Sequence, residues 1–587
     1  MKRKFLKFFV LAGVVAAISL TSCKDDDSSS NSQITEPEKQ EQPAQQATFK
    51  VSVTKLSFSL QGGSQVITVS GNSNSALAFA NQSWVTIKSS ADNQFEIVVA
   101  KLEGSSDRTA VVTIAADGTS LEIPVTQYAE DKITLSQESA QMESKGGNVE
   151  FSVTCNVDYE VVTSCSWLSQ VSEDNGKYTF AAKQNNSARV RKGSVTIKTA
   201  NKTVTFAVAQ EPGTKVEVSA SSSAMDIAKY MYPGWNLGNT MEATGGETAW
   251  QSAKTTQEII DYVADCGFTA IRIPCSWYQH SSKNAEGKYI IQSSWMSRVK
   301  EIVDYAINAG LFVELNEHWD KGFIEVLGFS KSDSKYEAVD QDWIDNKTAI
   351  FKDLWTQIAT EFKDYDNHLL FAGLNEPLQE YDLFKNPSKG GDHQQELTPL
   401  LEKYNQAFVD AVRATGGNNS TRILVVQGTG ADLLTAYNYL NMPEDPAGKG
   451  KLMMEAHYYP WPFSFNDQQS ASTSFTGEND FINLCKKLKQ KFCDNGVPVF
   501  IGEYGANWTM SAGANKQVKH DEAIKLFYKV VSKWGPSYGC LPFAWDINQK
   551  PTNNVTMTII DRNSLRIWAT PAYEGIMEGT DEAVWPY

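Results

Sequence analysis

The sequence predicts a multidomain chain: two all-β immunoglobulin-like sandwiches followed by an α/β (β/α)8 TIM barrel. Three observations carry that prediction. Residues 48–213 contain an internal repeat of short alternating strands separated by Gly, Asn and Ser turns. Residues 221–587 change texture, with short apolar runs alternating with amphipathic helical patterns and 13 of the 15 tryptophans. Residues 24–47 contain one isoleucine and no aromatic residue, a composition that cannot bury enough apolar area to fold.

At 587 residues with 41% hydrophobic and 21% charged side chains, the chain has ordinary globular usage and length for several domains. The net charge of −16 and the lack of a basic block exclude a nucleic-acid binder, because neutralising phosphates takes clustered Lys and Arg. The same charge repels acidic polymers and favours a neutral substrate. No HExxH, paired CxxC or P-loop pattern is present, so neither a metal nor an organic cofactor is expected.

The chain opens with a basic segment, Lys2, Arg3, Lys4 and Lys7, then an apolar run from Phe8 to Leu20. A membrane span needs about 18 or more apolar residues, so residues 1–22 read as a signal peptide. Leu20-Thr21-Ser22-Cys23 resembles a bacterial lipoprotein box, which implies cleavage before Cys23 and a lipid on it. Lys24-Asp25-Asp26-Asp27 resembles the acidic export tag of Bacteroidetes surface lipoproteins. The expectation is a lipid-anchored protein at the cell surface, on the outer membrane, with residues 23–47 as its tether and a monomeric folded part. Beyond Cys23 there are seven cysteines, an odd number, so they cannot all pair within the chain. Cys155 and Cys165 could face each other across a hairpin, though reduced, buried thiols are at least as well supported.

The repeat places Trp84 against Trp167, Arg108 against Arg191, Val112-Thr113-Ile114 against Val195-Thr196-Ile197 and Gln127 against Gln210, each at an offset of 83. Gly62-Gly63 matches Gly146-Gly147 at 84. The expected sandwiches span residues 48–129 and 130–213. These Gly-Gly hairpins, the pairs Ser83-Trp84 and Ser166-Trp167, and the strands ending at Gln127 and Gln210 resemble the BACON domain. The family name suggests carbohydrate binding. A glycan platform needs several exposed coplanar aromatics, however, and one Trp per copy is more often core, so a spacer role is expected.

In residues 221–587, strands are expected to begin near Gly234, Phe268, Leu311, Leu369, Arg422, Leu452, Pro498 and Cys540. Helices are expected over Thr256–Asp265, Trp295–Asn308 and Thr348–Phe362, the second closed by Ala309-Gly310. Barrel chemistry sits at the C-terminal ends of the strands, and six of these ends are polar. They are Arg272-Ile273-Pro274, Asn316-Glu317-His318-Trp319-Asp320, Asn375-Glu376-Pro377, His457-Tyr458-Tyr459, Gly502-Glu503-Tyr504 and Trp545-Asp546. Glu376 and Glu503 stand on strands expected to face each other across the mouth. Two carboxyls about 5–5.5 Å apart can hydrolyse a glycosidic bond with retention, one donating a proton and the other attacking carbon. Arg272 beside Glu503 is expected to keep it charged.

These motifs, with Gly234-Trp235-Asn236-Leu237-Gly238-Asn239-Thr240 and Glu247-Thr248-Ala249-Trp250, resemble glycoside hydrolase family 5, and within it the endo-β-1,4-glucanases and xyloglucanases often numbered subfamily 4. The resemblance covers the whole barrel. It implies Glu376 as acid/base and Glu503 as nucleophile, positioned by Arg272 and Tyr459. It implies substrate contacts from Asn236, His318, Asn375, His457 and Trp545, with Asn375 on the sugar 2-hydroxyl and Trp545 as the platform beneath the sugar. The implied function is retaining, endo-acting cleavage of β-1,4-glucosidic bonds in cellulose, mixed-linkage glucan or xyloglucan. Alternatives are an endo-β-mannanase or xylanase on the same barrel, or a non-catalytic surface glycan-binding lipoprotein.

The chain departs from the family where His318-Trp319 replaces a frequent His-His pair. Glu314 and Glu455 occupy strand positions where aliphatic residues are expected. Trp250, Trp277 and Trp508 are divided between sugar stacking and packing. Trp295, Trp343, Trp355 and Trp534 are expected in helix packing, and His280, His368, His393 and His520 at the surface.

Overall fold

A computed structural model describes residues 49–587, except 72–75, 92, 117–118, 164, 166, 186–189, 214–215, 321–322, 324–340, 379–393, 468–469 and 550–554. The signal peptide, Cys23, the tether, Ser166 and His393 lie outside the described residues. Among the described residues no helix is long and apolar enough to cross a membrane.

Each repeat forms two four-stranded sheets. In the first, the strand Arg108–Ala116 alternates buried and half-buried residues, with Val112 and Ile114 inward. In the second, Val195 and Ile197 hold the equivalent places and pack with Phe151, Phe180 and Phe206. The shared Arg and Gln have one job in both copies. Arg108 Nε donates to Gln127 Oε1 at 2.8 Å, and Arg191 Nε donates to Gln210 Oε1 at 2.7 Å. Each Gln then donates through Nε2 to backbone carbonyls: Ser59 and Ala100 in the first copy, Glu143 and Lys183 in the second. A buried amide needs such partners, which explains why Gln recurs at the end of the last strand. Trp167 is core, as expected, with Arg191 over its ring at 4.5 Å. Cys155 and Cys165 are both free thiols.

Eight parallel strands close the barrel in chain order: β1 (Gly234–Asn236), β2 (Ala270–Ile273), β3 (Phe312–Asn316), β4 (Leu369–Ala372), β5 (Leu424–Asp432), β6 (Leu452–Tyr458), β7 (Val499–Tyr504) and β8 (Cys540–Ala544). One helix follows each strand: α1 (Gln257–Asp265), α2 (Ser293–Asn308), α3 (Gln341–Glu361), α4 (Gln394–Ala414), α5 (Leu433–Tyr439), α6 (Glu478–Lys491), α7 (Ala514–Ser537) and α8 (Thr570–Glu582). Thr256 caps α1, its hydroxyl accepting from the Ile259 N–H at 3.3 Å. The eight strands and the three helices expected from the sequence are all present.

The barrel interior is layered. At its N-terminal end Ala270, Phe312, Leu370, Val425, Met453, Phe500, Leu541 and Phe543 make an apolar plug, closed by a one-turn helix whose Ala224, Ile227 and Ala228 pack into it. Above it the register turns polar. Asn236 pairs with Arg272, Arg272 with Glu314, Gln427 with Glu455, and His457 with Glu503. The site is built on this second layer, on rigid strands rather than on loops.

Candidate active site

Glu503 ends β7 and Glu376 follows β4. One carboxylate oxygen from each, with a ring nitrogen of His457, lie within 4.8 Å of one another. Donors hold both oxygens of Glu503: Arg272 Nη1 donates to Oε1 at 2.9 Å, and the Tyr459 hydroxyl donates to Oε2 at 2.9 Å. His457 Nδ1 lies 2.8 Å from Glu376 Oε1 and 3.6 Å from Glu503 Oε2, bridging the two carboxyls. The Glu376 side chain is 24% exposed and that of Glu503 only 7%. Solvent and any polymer therefore reach Glu376 more readily.

Burial alone would lower the His457 pKa, but the Glu503 charge and hydrogen bonds to Glu376 and Glu455 raise it to about 10. His457 is therefore an imidazolium at neutral pH, set between the two carboxyls. The Glu376–His457–Glu503 cluster is an ion-pair arrangement. The histidine also leaves a mark on stability. Its pKa stands above the unfolded value of 6.5, so its contribution is complete below that pH and is lost as pH rises through about 10. The melting temperature of the barrel is expected to fall between pH 7 and 10, and His457→Gln is expected to flatten that fall in calorimetric scans.

Beneath Glu503 lies the answer to Glu314 and Glu455. Arg272 is fully buried, and its Nε sits 2.9 Å from Glu455 Oε1 and 3.2 Å from Glu314 Oε2. One guanidinium thus serves three carboxyls. Burial pushes Glu314 well above the usual carboxylate range, with the Glu455 charge adding to it. Burial acts on Glu455 too, but Arg272, His457 and a hydrogen bond from Gln427 at 2.6 Å overcome it and keep Glu455 ionised. Gln427 is a supporting residue that motif reading missed. Its only signal was one amide at the end of the apolar run Ile423-Leu424-Val425-Val426. Gly502 makes the room: a Cβ there would sit 1.9 Å from Glu455 Oε1.

Arg272 is shared among three carboxyls, and its pull toward the charged form of Glu503 is opposed by burial. Arg272 does contact Glu503, but burial, aided by the Glu376 charge, raises the Glu503 pKa above the ordinary glutamate value despite His457 and Arg272. The guanidinium charge is divided among three partners and does not outweigh the desolvation. Asn236 corrects an expectation. It is fully buried, donates to the carbonyls of Gly502 at 2.8 Å and Phe543 at 3.2 Å, and accepts from Arg272 at 3.1 Å. It braces β1, β7 and β8 and orients Arg272, and its amide is spent before a sugar could use it. Asn375 accepts from Arg272 Nη2 at 2.8 Å through Oδ1.

Trp545 is half-buried, with the His318 ring parallel to it at 5.8 Å and an interplanar angle of 2°. His318 Nε2 is 4.0 Å from Glu503. Burial, with Arg272 and His457 close by, drives the His318 pKa well below its usual value, so this ring is neutral. Two polar strand ends prove structural. Asp320 accepts the backbone N–H groups of Trp277, Tyr278 and Gln279, fixing the loop after β2. Asp546 accepts from Trp235 Nε1 at 3.0 Å and from the Ile560 N–H at 2.8 Å, below Trp545.

Among the remaining tryptophans, Trp277 and Trp508 are buried and packing accounts for them, while Trp250 is exposed. Trp295, Trp343 and Trp355 are core, as expected, and Trp534 is half-buried against it. The histidines differ from expectation. His368 and His520 are buried, and His280 is half-buried, stacked on Trp295 at 3.6 Å. His368 pairs with Asp366 at 2.8 Å and His520 with the Ser472 carbonyl at 2.7 Å, so local partners offset the cost of burying each ring.

Comparison with known proteins agrees with this geometry. The family Cellulase (glycosyl hydrolase family 5) matches residues 236–551, and Viral BACON domain matches residues 132–212. Endoglucanase 1 of Ruminococcus albus is 36% identical over 291 residues, covering 48% of this chain and 66% of its own length, just under two thirds. A xyloglucan-specific endo-beta-1,4-glucanase of Bacteroides ovatus is 30% identical over 379 residues, covering 61% of this chain and 70% of its own. The crystal structure of XEG5B, a xyloglucan-specific β-1,4-glucanase from a ruminal metagenomic library, is 46% identical with a TM-score of 0.57, covering 62% of this chain and 98% of its own. The matched segment carries the closed barrel and both facing glutamates, and on these grounds the chain belongs to glycosyl hydrolase family 5.

Proposed function

We propose that the protein hydrolyses internal β-1,4-glucosidic bonds of plant β-glucans with retention of configuration. The observation that carries the reading is the approach of Glu376 and Glu503 to within 4.8 Å. Retaining enzymes need about 5–5.5 Å between the two carboxyls, whereas inverting enzymes leave about 6.5–9.5 Å for a water. Glu503, held at both oxygens by Arg272 and Tyr459, attacks the anomeric carbon as the more exposed Glu376 gives its proton to the leaving oxygen. A glycosyl ester on Glu503 results. Glu376 then takes a proton from water, which attacks the same carbon and frees Glu503.

The His457 imidazolium beside both carboxyls stabilises negative charge on whichever is ionised, so it serves both half-reactions. Asn375 offers its amide to the sugar 2-hydroxyl while Arg272 holds its carbonyl oxygen. Trp545 supplies an apolar face for the attacked ring. The glucanase and xyloglucanase relatives support a β-glucan over the mannan or xylan alternatives.

The test is release of reducing ends from xyloglucan, mixed-linkage glucan, carboxymethyl cellulose, mannan and xylan, with Glu376→Ala as the blank. Reducing ends are expected from at least one glucan and from neither mannan nor xylan. Release from mannan or xylan alone would overturn the substrate assignment, and no release from any polymer would favour a binding protein.

A further inference from the structure

The loop after β6 carries an aromatic series that the reaction as described does not use. Tyr459, bonded to Glu503, has the Phe465 ring 5.6 Å away, and Phe465 has the Trp461 ring 6.0 Å away. The loop sorts its aromatics. Phe463 is buried against Phe475 at 5.1 Å and Phe527 at 5.3 Å, while Trp461 is 78% exposed and Phe465 48% exposed. The arrangement is held from both ends. Phe463–Phe465 form a tight helical turn, the Ser464 carbonyl accepts from the Asn507 N–H at 2.9 Å, and the Asn507 amide donates to the Asn466 carbonyl at 3.0 Å. A braced loop that exposes two large rings beside a tyrosine bonded to Glu503 is a surface prepared for a ligand.

We propose that Trp461 and Phe465 form a distal subsite that stacks on a pyranose of the leaving-group half of the glucan. The assignment rests on the hydrolase reading above. Double displacement places the leaving-group half on the Glu376 side of the scissile bond, and Glu376 leans on His457 of β6, four residues before Trp461. Trp545 and His318 follow β8 and β3, which flank the β1–β2 side of the mouth, so β6 forms the opposite wall. The occupant follows from chemistry. A β-linked glucose carries its hydroxyls at the ring edge and C–H bonds on both faces, which suits the electron-rich face of an indole. Trp461 stands two ring contacts from Tyr459, which suits a sugar beyond the first leaving-group sugar.

Kinetics on cellohexaose and on 4-nitrophenyl β-cellobioside separate this role from others, because nitrophenolate leaves without reaching the platform. Trp461→Ala is expected to lower kcat/KM on cellohexaose about tenfold, to leave the aryl cellobioside unchanged, and to be largely rescued by Trp461→Tyr. An equal loss on both substrates would show that Trp461 acts through Tyr459 and would overturn the subsite, as would unchanged kinetics on cellohexaose. If the wild-type protein cleaves neither substrate, the hydrolase reading is decided by the polymer panel above. The subsite is then decided by calorimetric binding of cellohexaose: about tenfold weaker in Trp461→Ala supports it, and equal affinity removes it.

Discussion

Replacing Glu503 by Gln is expected to lower kcat on any β-glucan substrate by about 10⁴-fold or more, equivalent to about 5 kcal/mol of barrier. The reason lies in what the exchange preserves. Gln has the same shape, and its carbonyl oxygen can still accept from Arg272 or Tyr459, so the site stays assembled. The negative charge is lost, and with it the ability to form the glycosyl ester. Substrate affinity should therefore survive, measured by calorimetry with cellohexaose. Glu376→Ala should behave differently. It removes the proton donor, so natural substrates suffer while a 2,4-dinitrophenyl glycoside, whose leaving group needs no proton, still reacts with Glu503. A Glu503→Gln protein with near wild-type kcat would remove Glu503 from the chemistry. A Glu376→Ala protein whose first-step burst of dinitrophenolate is as slow as its turnover of natural substrates would remove Glu376 from the acid role.

Arg272→Met is expected to cost the barrel about 3–5 kcal/mol, because it strands buried carboxylates without a cation. Arg272 contacts Glu314, Glu455 and Glu503, all of them buried. Without it the barrel's calorimetric transition should fall by roughly 5–15 °C, while the transitions of the two sandwiches stay in place as internal controls. Burial favours the uncharged form of Glu314, so Glu314→Leu alone should cost far less than Arg272→Met. Added to Arg272→Met it should recover part of the loss, because it removes one of the stranded acids. Strict additivity of the two changes would mean that Arg272 and Glu314 do not act as one unit, against their 3.2 Å contact.

The two predictions draw on different parts of what the sequence disclosed. The eight strands were legible because each is a short apolar run followed by helical periodicity, and in a barrel every such run is buried on both faces. Glu376 and Glu503 were legible because polar residues ending these runs can converge only at the mouth. Glu314 and Glu455 were legible as anomalies but not as partners, since β3 and β6 lie apart in the barrel order and meet only through Arg272 rising from β2. Asn236 was misread because its motif gives proximity to the site, while direction depends on the carbonyls of Gly502 and Phe543 that its amide finds. His368 and His520 were placed at the surface for want of a visible partner. Their partners, Asp366 and the Ser472 carbonyl, become relevant only once the fold has brought them into reach. In the sandwiches the repeat fixed which residues matter, and the Arg108–Gln127 and Arg191–Gln210 bonds explain why they recur.

The account depends most on Glu503 becoming covalently bonded to sugar. The direct measurement is peptide mass spectrometry after incubation with 2,4-dinitrophenyl 2-deoxy-2-fluoro-β-cellobioside, whose fluorine slows release of the ester more than its formation. The expected result is a single fluorocellobiosyl group on the peptide containing Glu503. An adduct on a different carboxylate, or turnover of the unfluorinated glycoside with no adduct under any condition, would contradict it.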